Sequence, residues 1–286
     1  MSSDTQNSLF ELMDLVPTPV APARLVTLEQ KVLALRLTPN LRIAALGDSA
    51  VFGVGDTSQD KNSDGPGWVG RLAHDLEAKS YINLSKNGSR ATTVMNEQLV
   101  AATFFRPNLV CICVGMNDVM RGNFSKVQVH EALVNLIQTF NEFNALVVLL
   151  GLPDPAGTVV APKSIKRVLS RRVAILNQIS MEVAQSENGI FISGWNNPDV
   201  YQRNFWHIDR MHPSAEGHQK IADLIRTTLN LPLRAKSHLP IISLRTKAKD
   251  LKWLALNGSK WFLKRSIDLI PTLIYLLIVE YREKKS

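Results

Sequence analysis

Cysteine is scarce in this sequence, with only Cys111 and Cys113 among its 286 residues. They lie two positions apart in the apolar run 109–114. A β-strand would point both side chains to the same face, where an ordinary disulfide is too constrained. The spacing is not that of a CxxC pair, and no histidine is near in sequence, so neither a redox motif nor a zinc site is indicated. We expect two buried thiols that pack as small hydrophobic side chains.

Long apolar runs are also missing. The longest near the C-terminus, 269–279, has 11 residues and contains a proline, so it is too short to cross a bilayer. Residues 1–16 carry acidic residues and lack the basic and apolar regions of a secretory signal. We therefore expect a cytoplasmic protein.

Nucleotide-binding motifs are absent as well, and so is the Gly-x-Ser-x-Gly elbow of α/β-hydrolases. Gly53-Val54-Gly55 begins like a dinucleotide fingerprint, but position 58 is serine and the preceding apolar run ends at position 46. We expect no cofactor and no resident metal ion.

Positive charge is concentrated in one part of the chain. Residues 232–286 hold twelve Lys and Arg and four Asp and Glu, a net charge of +8, whereas the other 231 residues carry 21 charges of each sign. This distribution disfavours a nucleic-acid partner for the protein as a whole.

The basic segment leaves two interpretations open. Trp253, Trp261 and Phe262 alternate with lysines ahead of the apolar run 269–279. Such a pattern fits peripheral contact of residues 245–286 with an anionic membrane, on its inner face. It equally fits a segment that packs back on the main domain with its lysines in solvent.

The chain divides into a lead-in at 1–40, a main domain at 41–231 and a C-terminal tail at 232–286. Within the main domain, five apolar runs alternate with amphipathic stretches of helical spacing. The predicted strands are 41–46, 81–84, 109–114, 145–150 and 189–193, and the predicted helices are 68–79, 92–103, 127–143, 165–185 and 214–229. A further short helix is predicted at 27–37. This alternation predicts a parallel sheet covered by helices on both faces, a three-layer α/β/α sandwich.

Polar residues follow the first, second, third and fifth predicted strands, with Asp154 after the fourth, and ligands bind at that edge of a parallel sheet. Gly47-Asp48-Ser49 follows the first strand, where the tight turn would expose a serine and its backbone N–H. By itself this is also an ordinary turn and helix-cap sequence.

Asp209 and His212 follow the fifth strand, three positions apart. At that spacing the carboxylate can reach Nδ1 of the imidazole and orient it to deprotonate a serine. The alternatives are a surface Asp–His pair, or a metal site made by His207 with these two residues. The metal site is less favoured because no further His or Cys donor follows at ligand spacing.

The remaining strand ends supply the other polar groups of the predicted site. The Asn117 amide and the Gly88 N–H are candidate donors to an oxyanion, and Asp154 is a candidate pocket residue or a plain turn. Four histidines have no partner by spacing and are expected to be structural or exposed: His74, His130, His218 and His238.

Taken in order, these segments resemble the four sequence blocks of the SGNH (GDSL-type) hydrolases. The matching segments are Gly47-Asp48-Ser49, Gly88, Gly115-Met116-Asn117-Asp118 and Asp209-Arg210-Met211-His212. The resemblance covers about residues 41–230, with one departure at Ala50, where many members have leucine.

The resemblance implies a flavodoxin-like fold with a five-stranded parallel sheet. It implies Ser49 as nucleophile, His212 as base and acid, and Asp209 as the orienting carboxylate. The oxyanion hole would consist of the N–H groups of Ser49 and Gly88 and the Asn117 amide. The expected function is hydrolysis of a small-molecule carboxylic ester through an acyl-enzyme. Two alternatives remain open: acyl transfer to a sugar or alcohol by the same triad, and hydrolysis of lipid esters or thioesters at a membrane.

Overall fold

The computed structural model describes residues 26–56, 65–159, 161–241, 274–275 and 278. The strands are β1 (Arg42–Gly47), β2 (Ser80–Asn83), β3 (Leu109–Cys113), β4 (Leu146–Leu150) and β5 (Ile190–Ile192). The helices are α1 (Leu28–Leu37), α2 (Ser49–Phe52), α3 (Gly67–Asp75), α4 (Ala91–Thr93), α5 (Leu99–Phe105), α6 (Met116–Val119), α7 (Lys126–Asn141), α8 (Pro155–Thr158), α9 (Lys163–Ser186) and α10 (Ala215–Thr228). A π-helical turn, Val94–Gln98, joins α4 to α5, and 3₁₀ turns lie at Pro198–Tyr201 and Arg203–Phe205.

The five strands form one parallel sheet in the order β2-β1-β3-β4-β5. This is the flavodoxin-like order, in which the chain reverses direction across the sheet between β1 and β3. The predicted three-layer α/β/α fold is therefore confirmed.

The core of the sheet consists of short strands that are buried on both faces. Every residue of β3 is buried, including Cys111 and Cys113, and both thiols are free. Burial raises the pKa of each thiol far above its ordinary value, so both stay protonated at neutral pH. They act as small hydrophobic residues, as the spacing predicted.

Helices cover the sheet in two groups. On one side α3 contacts α10, and on the other α7 contacts α9. The buried face of α7 repeats at helical spacing through Val129, Leu133, Leu136 and Phe140. α7 thereby places an apolar stripe against the sheet, whereas α3 is buried along almost its whole length, including Arg71 and Asp75.

The predicted helix at 27–37 is present as α1, and a capping box begins it. Thr27 accepts a hydrogen bond from the Gln30 N–H, and the Gln30 side chain accepts one from the Thr27 N–H. The rest of the predicted lead-in lies largely outside the described residues.

The beginning of the C-terminal segment, residues 232–241, packs on the main domain. The Arg234 guanidinium donates to the carbonyl oxygens at the end of α1, and its backbone N–H donates to the Asp75 carbonyl at 2.9 Å. Nδ1 of His238 lies 3.0 Å from the Asp75 carboxylate. Beyond residue 241 only residues 274, 275 and 278 are described. Among the described residues, no helix combines the length and apolar character needed to cross a bilayer.

Candidate active site

The site lies where the chain reverses direction across the sheet, beyond the carboxyl ends of β1 and β3. Ser49 follows β1 directly and Asn117 follows β3. Diverging connections open a crevice at this point of a doubly wound sheet, and ligands bind there. The structure therefore brings the first and third polar segments of the sequence to one location.

A tight turn joins β1 to α2 and presents Ser49. Gly47 has a φ of +144°, and a Cβ at this position would lie 2.1 Å from the Cys113 carbonyl oxygen, so only glycine fits. Asp48 then caps α2 by accepting the Ala50 N–H at 3.0 Å. Ser49 is the first residue of α2 and is half-buried.

Three side chains form a continuous hydrogen-bonded chain. His212 Nε2 lies 2.8 Å from Ser49 Oγ, and His212 Nδ1 lies 2.7 Å from Asp209 Oδ2. The other carboxylate oxygen of Asp209 accepts the backbone N–H groups of Met211 and His212 at 2.9 and 3.0 Å. The turn 209–212 therefore holds both the imidazole and its carboxylate in place.

The Asp209 carboxyl group is arranged to stay ionised. Burial opposes its ionisation, but the neighbouring imidazoles of His207 and His212 outweigh burial and hold its pKa well below the usual range. His207 Nδ1 is 3.6 Å from Asp209 Oδ2, the same oxygen that binds His212. An anionic Asp209 keeps the proton of His212 on Nδ1 and leaves Nε2 free to accept one.

The Asn117 amide lies beside the turn that presents Ser49. Its Nδ2 donates to the Ser89 carbonyl at 3.1 Å and to Asp48 Oδ2 at 3.3 Å. Gly88, directly before Ser89, is exposed and has a φ of +82°. Within the described part of the chain, no hydrogen bond uses the N–H of Ser49 or of Gly88. Both groups are thus available to a ligand.

Gln98 is a component of the site that sequence reasoning missed. Its buried side-chain amide accepts the Gly47 N–H at 2.8 Å, and it donates to the Gly47 carbonyl at 2.9 Å and to Ser89 Oγ at 3.3 Å. It ends the π-helical turn, a distortion that is frequent at functional sites. One side chain thereby ties the turn that presents Ser49 to the loop that carries Gly88. The sequence offered no signal, because Gln98 sits at an ordinary polar position of a predicted helix.

We expect Gln98→Leu to lower kcat on a short p-nitrophenyl ester by about a hundredfold, because the turns at Gly47 and Ser89 would lose their common support. KM should change less, since Gln98 does not line the surface at which a substrate arrives. Gln178→Leu, on the exposed face of α9, is the control and should behave as wild type. Equal kcat in both variants would show that Gln98 does not position the site.

The carboxyl group of Asp48 has an unusually high pKa. Burial raises its pKa to about 6, against opposing effects of the Ala50 N–H and of His212. Because its pKa in an unfolded chain is about 3.9, the folded protein holds this proton more tightly. Its contribution to stability is therefore complete below about pH 4 and is lost as the pH rises through about 6.

Asp48→Asn, which cannot ionise, tests this titration. Relative to wild type, we expect its free energy of unfolding to rise by about 2–3 kcal/mol between pH 4 and pH 7, measured by urea denaturation. The constant cost of changing the contact with Asn117 cancels in this comparison. A difference between the two proteins that does not vary with pH would contradict the raised pKa.

Asp154 lies after β4 and stabilises the start of α8. It caps α8 by accepting the Ala156 N–H at 2.9 Å, and the Ser170 hydroxyl donates to the same oxygen. Its place in a substrate pocket stays a prediction.

Two of the histidines without partners by spacing have distant partners. His218 is fully buried, and its ring nitrogens contact the Trp68 N–H and the Val54 carbonyl, each at 3.1 Å. Burial lowers the pKa of His218 to about 4, so it is neutral and ties α10 to the loop after α2. His238 contacts Asp75, as described above.

Within the described ranges, the one set of side chains close enough to share a metal ion is Asp75, Asp223 and His238, whose donor atoms lie within 4.8 Å of one another. Asp75 ends α3, which runs away from the Ser49 turn, so this set lies toward the opposite edge of the sheet. It includes none of the residues of the alternative metal site.

Comparison with known proteins identifies the family of the chain. A family model described as GDSL-like lipase/acylhydrolase matches residues 45–220, a range that contains every residue of the site. Among curated proteins, none matches the chain.

Solved structures share the fold. A putative GDSL-like lipase from Parabacteroides merdae is 18% identical with a TM-score of 0.56, and the alignment covers 68% of this chain and 98% of that one. The acetylxylan esterase Axe2 from Geobacillus stearothermophilus is 16% identical with a TM-score of 0.55, covering 71% and 99%. The esterase EstA from Pseudoalteromonas sp. is 18% identical with a TM-score of 0.51, covering 66% and 96%. Since the family model spans more than half of the sequence, the chain belongs to the GDSL-like lipase/acylhydrolase family and is a carboxylic-ester hydrolase.

Proposed function

We propose that the protein hydrolyses carboxylic esters through an acyl-enzyme on Ser49, with His212 as general base and acid and Asp209 as the orienting carboxylate. The observation that carries the proposal is the chain of contacts from Ser49 Oγ to His212 Nε2, 2.8 Å, and from His212 Nδ1 to Asp209 Oδ2, 2.7 Å. Nucleophile, base and orienting group are the three parts that serine acyl transfer requires.

In the first half of the reaction, Ser49 Oγ attacks the ester carbonyl while its proton moves to His212 Nε2. The carbonyl oxygen becomes an anion, and the N–H groups of Ser49 and Gly88 and the amide of Asn117 stabilise it. His212 then gives the proton to the departing alcohol, and the acyl group stays on Ser49. In the second half, His212 takes a proton from water, which attacks the acyl-enzyme and releases the acid.

Asn117 changes partner during this cycle. Of its two hydrogen bonds in the free protein, that to Asp48 Oδ2 is the longer, at 3.3 Å. A developing oxyanion is a stronger acceptor at this place, so it replaces Asp48, while the bond to the Ser89 carbonyl keeps the amide oriented.

Asn117→Ala should lower kcat by about a hundred- to thousandfold on a short p-nitrophenyl ester, the usual effect of losing one oxyanion donor. Asn135→Ala, which removes an exposed amide on α7, is the matched control and should leave kcat unchanged. Full activity of Asn117→Ala would remove this residue from the mechanism.

Covalent trapping tests the proposal directly. Diethyl p-nitrophenyl phosphate should transfer its diethylphosphoryl group to Ser49 Oγ and release p-nitrophenolate, with the proton passing to His212. Mass spectrometry of the digested protein should find the adduct on the peptide that contains Ser49. His212→Ala should prevent the reaction, whereas an adduct elsewhere, or none on active wild type, would contradict the proposal.

Water is the acyl acceptor in this proposal. Transfer of the acyl group to an alcohol would use the same residues. Only analysis of the products therefore distinguishes transfer from hydrolysis. With glycerol or a sugar added, hydrolysis yields only the free acid, and a new ester product would identify transfer.

A further inference from the structure

Part of the C-terminal tail reaches the edge of the sheet that carries the site. Gly122 lies in the loop between α6 and α7, five positions after Asn117. A Cβ placed on Gly122 would lie 2.0 Å from the Tyr275 ring, so the aromatic ring packs directly over this glycine. Although residue 275 is more than 150 positions away in sequence, it contacts the loop that follows α6, the helix that carries Asn117.

This contact leaves apolar surface in solvent. Ile274, Tyr275 and Ile278 are helical, and their side chains are 52%, 55% and 46% exposed. Ile278 follows Tyr275 by three positions and Ile274 by four, and residues at these spacings are neighbours on one side of a helix. Packing against Gly122 therefore does not bury these three residues, and the exposed isoleucines accompany Tyr275 at the loop between α6 and α7.

The charge of the tail complements one kind of surface. Residues 232–286 carry the whole net charge of the protein, +8, and Trp253, Trp261 and Phe262 lie among their lysines. Basic residues interleaved with aromatic and aliphatic ones are typical of segments that lie in an anionic lipid interface. The electrically neutral remainder of the chain offers no comparable attraction to anionic lipid.

We propose that residues 245–286 dock the protein on an anionic bilayer with the Ser49 edge toward the lipid, so that the hydrolysed ester is an acyl ester of a membrane lipid. Basic side chains of the tail attract the anionic headgroups, while Ile274 and Ile278 enter the interface. The contact between Tyr275 and Gly122 places the candidate active site at that interface. The substrate assignment rests on the proposed function of Ser49, whereas the docking surface does not.

Vesicle flotation of the full-length chain tests the docking surface. Ser49→Ala protein keeps the lipid intact during the measurement. It should float with phosphatidylcholine vesicles that contain phosphatidylglycerol, stay in solution with phosphatidylcholine alone, and detach as salt is raised. Failure to float on anionic vesicles, or binding that does not depend on their charge, would overturn the proposal.

Matched substitutions test which face binds. Ile274→Ser with Ile278→Ser should weaken partitioning by about a hundredfold, since two apolar side chains no longer enter the interface. Leu33→Ser with Leu37→Ser removes two apolar side chains from α1 that are at least as exposed as the isoleucines. Because α1 leads into the opposite edge of the sheet, this pair should leave partitioning unchanged. Equal binding by both pairs would overturn the assignment of this face, and association of the wild type into a dimer that the isoleucine pair abolishes would identify a second copy as its partner.

Gly122→Val tests the orientation. The valine side chain would displace Tyr275 and leave the charge and apolar content of the tail unchanged. We expect Gly122→Val to float as wild type and to hydrolyse a soluble p-nitrophenyl ester normally, but to lose about tenfold in hydrolysis of vesicle phospholipid. Normal phospholipid hydrolysis by this variant would contradict the orientation.

The two proposals can fail separately. If wild type hydrolyses the soluble ester yet does not float, the docking proposal alone fails. If Ser49 accepts no acyl group, the proposed function fails.

Discussion

Ser49→Ala should abolish ester turnover, with a fall in kcat of about 10⁶-fold, the scale on which other serine hydrolases lose activity with their nucleophile. The reason is geometric: Ser49 Oγ lies 2.8 Å from His212 Nε2, so in the proposed mechanism it is the hydroxyl that this nitrogen deprotonates. A methyl group there cannot form the acyl bond, and water would have to attack the ester directly. Initial rates on p-nitrophenyl acetate, with circular dichroism to verify the fold, measure the effect.

The fold should survive this substitution. Ser49 is half-buried and begins α2, while Asp48 supplies the cap of that helix. Ser180→Ala is the control: it removes another serine hydroxyl, which bonds within α9 to Leu176, and should keep full turnover. Substantial turnover by folded Ser49→Ala would exclude this serine as the nucleophile.

Asp209→Asn should lower kcat by about 10⁴-fold, as loss of the orienting carboxylate does in other triads. The amide oxygen can still accept the N–H groups of Met211 and His212, so the turn is preserved. The amide nitrogen, placed 2.7 Å from His212 Nδ1, would donate a hydrogen where the carboxylate accepts one. The imidazole would then carry its proton on Nε2, facing Ser49, and could not act as base.

A control variant that loses the same negative charge elsewhere shows whether the fall in kcat depends on the position of Asp209. The exposed carboxylate of Asp199 pairs with Lys220 at 3.4 Å, and Asp199→Asn should keep wild-type kcat. The fall in Asp209→Asn should appear in kcat with little change in KM, because the buried Asp209 side chain offers almost no surface to a substrate. Near-normal kcat in Asp209→Asn would exclude the proposed tautomeric role.

Most of the fold could be predicted from patterns of apolar residues. Short runs such as those that became β3 and β4 predicted buried strands, and the spacing of Leu133, Leu136 and Phe140 predicted a helix. The ends of elements were less predictable, since α3 ends at Asp75 rather than Lys79. The π-helical turn had no sequence signal, because side-chain spacing barely distinguishes one such turn from an α-helix.

Only the part of the site that is formed by residues close in sequence was predictable. Asp209 and His212 are three positions apart, so local geometry alone brings them together. Gln98 and His218 act on backbone groups 51 and 150 positions away, and no local pattern reports such a contact. The same holds for Tyr275 over Gly122.

The sequence by itself determined the parallel α/β architecture, the residue types of the site and the order in which they follow the strands, because all of these depend on periodicity and local spacing. Only the tertiary structure decided that Ser49 lies within hydrogen-bonding distance of His212, 163 positions away, and that Asn117 and Gln98 support the same turn. Distances of this kind follow from strand order and from helix packing, which join segments distant in the chain, so a serine that is locally a common turn residue becomes the centre of a site.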